Sequence, residues 1–157
     1  MISRLLGAIW RRVPARFRRL GVRVMHPTFT VTAGAMIFND EGQVLLLKHR
    51  FRPGTGWGLP GGFLQVGEQP VEGLRRELRE EIRLDVENVE ILGARSFTRP
   101  PQIEILFRGR ANGKVQPQSM EVERAGWFSA TSLPSGLPAD QRRLVENAVA
   151  DGANRRD

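Results

Sequence analysis

The 157-residue sequence contains no cysteine and only two histidines, His26 and His49. Without cysteine there can be neither a disulfide framework nor a thiolate metal site, and the absence suits a reducing compartment, so the expectation is a cytoplasmic protein. Two histidines disfavour a multi-histidine zinc site. A bound metal has to be held by carboxylate, histidine or backbone oxygen, and carboxylates favour hard ions such as Mg2+ or Mn2+. There is no internal repeat and no low-complexity segment.

Acid is also lacking at the start of the chain. Arg4, Arg11, Arg12, Arg16, Arg18, Arg19 and Arg23 precede Asp40, the first acidic residue, and these seven arginines equal the net charge of +7. The rest, 17 basic and 17 acidic residues, is balanced and lacks the broad basic surface that nucleic acid favours. The basic character therefore belongs to an arm, residues 1–27, which mixes Leu5, Leu6, Ile9, Trp10, Val13 and Phe17 with the arginines. It reads as an amphipathic helix interrupted near Pro14. Its apolar runs are broken too often by arginine to span a bilayer or to act as a secretory signal. Three roles remain open for it: packing on its own domain or on a partner in a homodimer, peripheral attachment to an anionic membrane, or organelle targeting.

With 40% hydrophobic residues the chain can build one sizeable core. The arm is followed by a β-rich run, Thr28 to Phe38, the turn residues "NDEGQ" and a second strand, "VLLLKH", which together read as a hairpin. Phe51 to Gly62, "FRPGTGWGLPGG", holds five glycines and two prolines and reads as a loop. Beyond it Pro70 suits the first turn of a helix, with Val71, Leu74, Leu78 and Ile82 on one buried face. Two strands joined by "TRPPQ", a further strand in "RAGWFSA" and a helix over residues 139–150 complete a mixed α/β pattern, with Leu144, Val145 and Val149 turned inward.

The helix carries Glu77, Glu80 and Glu81 on one side, aimed at the rim of its buried stripe. Like charges at this spacing repel by roughly 0.2 to 0.5 kcal/mol per exposed pair. A divalent cation bound among them would remove that repulsion. It would also let a polyanionic substrate approach and would activate water.

Within "GGFLQVGEQPVEGLRRELREEIRL", Gly62, Glu68, Arg76, Glu77, Leu78, Glu80 and Glu81 keep fixed distances from one another. This stretch resembles the Nudix box, the signature of the Nudix hydrolases, except that Arg83 stands where the family has glycine. "GWGLPGG" and "EVERAGWF" are similar to the segments that flank the box in that family, and the likeness runs from Thr28 to Ala150. It implies an α/β/α sandwich, a mixed sheet with a catalytic helix and a C-terminal helix, as one domain over residues 28–150 with residues 151–157 as a tail.

The resemblance also implies a Mg2+- or Mn2+-dependent hydrolysis. Glu77, Glu80, Glu81 and a carboxylate from a distant loop, Glu121 in preference to Glu123, would be the metal ligands. Arg76 would restrain the carboxylates, Glu68 among them, and the general base is left among Glu77, Glu80 and Glu121. The implied substrate is a nucleoside diphosphate linked to another moiety, such as ADP-ribose, a nucleotide sugar or a nucleoside triphosphate. Arg50, Arg52 and Arg99, with Phe97 and His49, are the flanking candidates for substrate contact, and Gly61 and Gly62 would let backbone pass close to phosphate. Gly73, one turn before Glu77, would leave room for metal and substrate. Two other functions stand beside this one: a binding or regulatory module without turnover, and an RNA 5′-end pyrophosphohydrolase.

Overall fold

The computed structural model describes residues 25–52 and 54–154, together with Pro14, Ala15 and Phe17. The reading of the basic arm therefore falls almost wholly outside the described residues, and of the tail expected over residues 151–157 the first four continue the last helix, Ala139–Asn154, while the last three lie outside the described residues.

Strands β1 (Thr30–Phe38) and β2 (Val44–His49) form the expected hairpin. Its turn is held by Asn39, whose side-chain oxygen accepts the N–H groups of Glu41 (3.1 Å) and Gln43 (2.8 Å). The glycine-rich run that follows is not all loop. It contains β3 (Trp57–Gly58), paired with β2, and the start of β4 (Gly61–Phe63), paired antiparallel with β1. Two or three residues with glycine and proline neighbours carry no strand propensity, so it is the waiting edges of β1 and β2 that make these strands.

Helix α1 (Pro70–Ile82) comes next, then the long hairpin of β5 (Asp85–Thr98) and β6 (Pro101–Asn112), whose turn contains a cis Arg99–Pro100 bond. β7 (Val122–Phe128), a single 3-10 turn (Ala130–Ser132) and α2 (Ala139–Asn154) complete the chain. β1 runs parallel to β6 and β2 antiparallel to β7, giving a mixed seven-stranded sheet whose main path is β3-β2-β1-β6-β5.

The period of two along the strands divides the core into two layers. Ala33, Ala35, Ile37, Leu45 and Leu47 face α1 and meet Leu74, Leu78 and Ile82. Met36, Phe38, Val44 and Leu46 face the other way and meet Val145 and Ala148 of α2. The architecture is thus an α/β/α sandwich. In α2 the buried stripe passes through Val145 and Ala148 with Leu144 beside it, so Val149 lies at its edge and is exposed rather than turned inward. Among the described residues no helix is long and apolar enough to cross a membrane.

Candidate active site

Helix α1 begins at Pro70, whose missing N–H costs nothing at the first helical position. Its buried residues are Gly73, Leu74, Leu78, Glu81 and Ile82. The expectation that all three carboxylates sit at a rim holds for neither extreme: the Glu81 residue is 7% exposed, whereas the Glu80 side chain is 60% exposed. The reason is geometric. Glu81 falls next to Leu78 and Ile82 on the helix surface, and Glu80 falls toward solvent.

Arg76 spends its guanidinium on this group of acids. Its Nε and Nη2 donate to the two carboxylate oxygens of Glu68 (2.9 and 3.0 Å), and Nη1 donates to Glu77 Oε1 (2.8 Å) and Glu80 Oε2 (3.1 Å). Nη2 also reaches the carbonyl of Phe63 in β4 (3.0 Å). The fork with Glu68 is bidentate, a planar match that a lysine could not make. These bonds and the Gln65 N–H hold the Glu68 carboxyl down at about 2. One arginine thus joins the loop before the helix, the helix itself and the neighbouring strand.

Of the two glycines at the start of β4, Gly62 lies directly against this cluster and Gly61 against the backbone of β1. A side chain on Gly62 would place its Cβ 2.3 to 2.6 Å from the Glu77 carboxylate atoms. Gly61 has φ of +143° and passes so near the carbonyl of Ala33 that a Cβ would stand 2.1 Å from it. Gly73 has another reason to be small: a Cβ there would meet Leu64 and Glu68, so its space belongs to the loop that Arg76 holds and not to metal or substrate.

Among the described residues three buried side-chain polar atoms lack any hydrogen-bond partner: Glu81 Oε2, His49 Nε2 and Arg52 Nη1. Their charges act on one another, and His49 and Glu81 are also neighbours in space. Burial, with the nearby charges of Glu77, Glu121 and Glu80, pushes the Glu81 carboxyl up to about 7 against the pull of Arg52. Burial and the Arg52 charge push His49 down to about 4, so its 3.9 Å approach to Glu81 is a contact of a neutral imidazole and not an ion pair. Arg52 is itself lowered by burial while Glu81 and Glu104 oppose that shift. Buried polar atoms are seldom left unbonded, so each of the three is a candidate contact for a polar ligand.

The donor set fits a hard divalent cation. It is all oxygen: the charges of Glu77, Glu121 and Glu80 act on Glu81, and one buried oxygen of Glu81 is unengaged. Among the described residues no three acidic or histidine side chains already stand in cation-binding geometry, because Arg76 holds one oxygen each of Glu77 and Glu80. Glu121 and Glu123 are parted where β7 begins: Glu121 precedes the strand and acts on Glu81, whereas Glu123 falls at the shift in register between β2 and β7 and is tied to Lys48 at 2.8 Å.

A cavity of about 530 Å3 adjoins the cluster, with Gly61, Gly62 and Phe63 on one wall. Arg52, Phe97 and Arg99 line it; Arg50, whose charge acts on Glu123, does not. Sequence reasoning alone gives no sign of the network on the far wall, where Arg95 bridges Glu104 and Asp140 (2.6 Å to the latter) and lies 4.9 Å above the Phe97 ring. Nor does it give Gln141, whose side-chain oxygen accepts the Leu59 N–H at 2.8 Å. These residues come from three separate elements, and no spacing along the chain connects them.

The α/β/α sandwich sets an arginine-clamped carboxylate helix beside a glycine-walled, arginine-lined cavity. The chain belongs to the Nudix family, matching the NUDIX domain over residues 28–148. It is 32% identical over 115 residues to the NAD-capped RNA hydrolase NudC of Vibrio atlanticus, covering 71% of this chain and 43% of that one. With the human 8-oxo-dGDP phosphatase NUDT18 it shares 34% identity over 121 residues, 73% of this chain and 37% of the relative. The chain thus spans less than half the length of these curated relatives. The crystal structure of a MutT NUDIX hydrolase from Burkholderia pseudomallei superposes with a TM-score of 0.68 at 27% identity, covering 76% of this chain and 98% of that one.

Proposed function

We propose that this chain is a Mg2+-dependent pyrophosphohydrolase that cleaves a nucleoside diphosphate linked to another moiety into a nucleoside monophosphate and a second phosphate product. The observation that carries this reading is the helix that presents Glu77 and Glu80, held by Arg76, together with the unbonded buried Oε2 of Glu81, next to a cavity that Gly61 and Gly62 wall and Arg52 lines. Glu77, Glu80, Glu81 and Glu121 would hold the cation, which when bound neutralises their charge, polarises a phosphoryl oxygen and lowers the pKa of water. Mn2+ suits the same oxygen donors.

Arg76 keeps the carboxylates oriented, and Glu68 keeps Arg76 in place; restraint of this kind commonly matters as much as a ligand. Arg52 and Arg99 point the cavity toward a polyphosphate, with Arg52 Nη1 able to donate to a phosphate oxygen without giving up another bond. Glu77, Glu80 and Glu121 are the candidates to take the proton from the attacking water as the P–O bond to the leaving phosphate breaks. The name of one of the two curated relatives, the NAD-capped RNA hydrolase, favours a second substrate within the same chemistry, the capped 5′ end of an RNA.

The test is a panel of ADP-ribose, nucleotide sugars, nucleoside di- and triphosphates, NAD and NAD-capped RNA, each with Mg2+, Mn2+ or chelator. Metal-dependent release of a nucleoside monophosphate from one of the small molecules supports the proposal. Turnover confined to capped RNA supports the second reading, and binding without turnover of any substrate overturns both. For residues 1–27 we propose peripheral contact with anionic membrane surfaces of the cytoplasm, carried by their seven arginines. Vesicle sedimentation with and without residues 1–24 tests it, and equal sedimentation of the two forms refutes it.

A further inference from the structure

An α-helix leaves its last four carbonyls without partners inside the helix. In α1 the carbonyls of Glu80, Glu81 and Ile82 are among these, and a single short segment before β7 satisfies all three and adds a second bond to the carbonyl of Arg79, which already accepts the Arg83 N–H. The Gln118 side-chain Nε2 donates to the carbonyls of Arg79 (2.7 Å) and Glu80 (3.0 Å). The backbone N–H groups of Gln118 and Ser119 donate to Glu81 (3.0 and 3.3 Å), and that of Gln116 donates to Ile82 (2.8 Å). Arg83 supplies the remaining piece. Its Nε donates to Gln118 Oε1, which leaves the amide nitrogen of Gln118 facing the helix end.

The same segment leads straight to Glu121. Ser119 Oγ accepts the Glu121 N–H at 3.1 Å, and the carbonyl of Glu121 accepts the Arg50 N–H at 2.8 Å, next to the end of β2. The backbone of Glu121 is therefore fixed between a clasp on the helix that bears Glu80 and Glu81 and the edge of the sheet. The clasp depends on a glutamine with no charge and on an arginine at the one position where the box departs from the family pattern.

We propose that Gln118, oriented by Arg83, is a positioning residue that sets Glu121 against the carboxylates of α1 and thereby sets the cation affinity of the site. The proposal rests on the reading of Glu121 as a ligand. A helix cap of no further consequence would add stability to the fold and leave cation binding alone, which makes the two roles separable.

The experiment titrates substrate-free, chelator-treated full-length protein with Mn2+ and follows the free ion by electron paramagnetic resonance. Gln118→Ala and Glu121→Gln should each raise the Kd by about tenfold, the usual scale for a lost ligand or its support. The double variant should bind no more than about twofold more weakly than Glu121→Gln alone, since two residues acting through one interaction are not additive. Gln118→Glu keeps the size and the acceptor for Arg83 but loses the two donated bonds, so the same rise is expected even if Gln118→Ala folds poorly. Substrate KM at saturating Mn2+ should stay within about twofold in both Gln118 variants. An unchanged Kd in the Gln118 variants, or a full additional tenfold loss in the double variant, overturns the proposal. So does an unchanged Kd in Glu121→Gln, and if Glu81→Gln still weakens Mn2+ binding, the reading of the α1 carboxylates as a cation site survives that failure. An unchanged Kd in Glu81→Gln and Glu80→Gln alike would remove that reading as well.

Discussion

Arg83→Gly separates backbone strain from side-chain contact at the end of α1. Arg83 has φ of 53° and ψ of 33°, in the left-handed region, with its N–H on the carbonyl of Arg79 (3.1 Å) and the next N–H, of Leu84, on that of Leu78 (3.3 Å). A side chain there costs roughly 1 to 2 kcal/mol. Glycine removes that cost but gives the unfolded chain more freedom, worth about 0.4 to 1 kcal/mol in the opposite direction. The backbone contribution of the change is therefore a gain of about 0.5 to 1 kcal/mol. Against it stands the lost bond from Arg83 Nε to Gln118, an exposed contact worth about 0.5 kcal/mol. In the intact chain the two nearly cancel. In a Gln118→Ala background the contact is already gone, and Arg83→Gly should stabilise by the full backbone amount. Urea midpoints of the four proteins of this cycle, measured in chelator, give both terms. Destabilisation by Arg83→Gly in the Gln118→Ala background would refute the reasoning, because that is the behaviour of glycine at an ordinary helical position.

Gly62→Ala should displace the Glu77 carboxylate, against which the new Cβ would stand at 2.3 to 2.6 Å. A misplacement of this order lowers kcat by about 100-fold, and an unchanged kcat in the folded variant would show that Glu77 does not need its present place. Glu80→Gln and Glu81→Gln keep size while removing charge, and each should lower the metal-dependent rate by about 100-fold; near-normal rates in both would count against the carboxylate cluster as the cation site. In metal-free protein the Glu81 carboxyl, raised to about 7, holds its proton in the folded chain over a range where the unfolded chain has released it. Its contribution to stability is therefore lost as pH rises from about 4.5 to about 7, so the stability of Glu81→Gln relative to wild type should climb across that window and be flat above it. Denaturant midpoints in chelator as a function of pH check this, and a difference that does not vary with pH would mean that Glu81 titrates normally.

The parts of the molecule that follow from local pattern are legible in the sequence. Alternation along β1 and β2 places Ala33, Ala35 and Ile37 on one layer and Met36 and Phe38 on the other, and the spacing of Leu74, Leu78 and Ile82 marks the face of α1. The acids are legible too, since three of them share one helix surface. Their unequal burial is not, because it depends on how far α1 is rolled against the sheet. β3 and β4 escape notice since partners, not their own residues, make them strands. The Gln118 clasp escapes it for a different reason: an uncharged side chain in an irregular segment, 39 residues from Arg79, finds its partner only through the fold. Gly73 shows the converse error, a glycine near carboxylates whose space is filled by Leu64 and Glu68.

The central claim, cleavage of a pyrophosphate linkage by the carboxylates of α1, is tested most directly by phosphorus NMR of the reaction mixture. The purified chain and the best substrate of the nucleotide panel are observed with Mg2+ and then with excess chelator. The account predicts that the diphosphate resonances are replaced by those of a nucleoside monophosphate and a second phosphate product in Mg2+ alone, and that Glu81→Gln slows this replacement by about 100-fold. Equal conversion in chelator, or a wild-type chain that binds the nucleotide in Mg2+ and leaves its resonances unchanged, would contradict it.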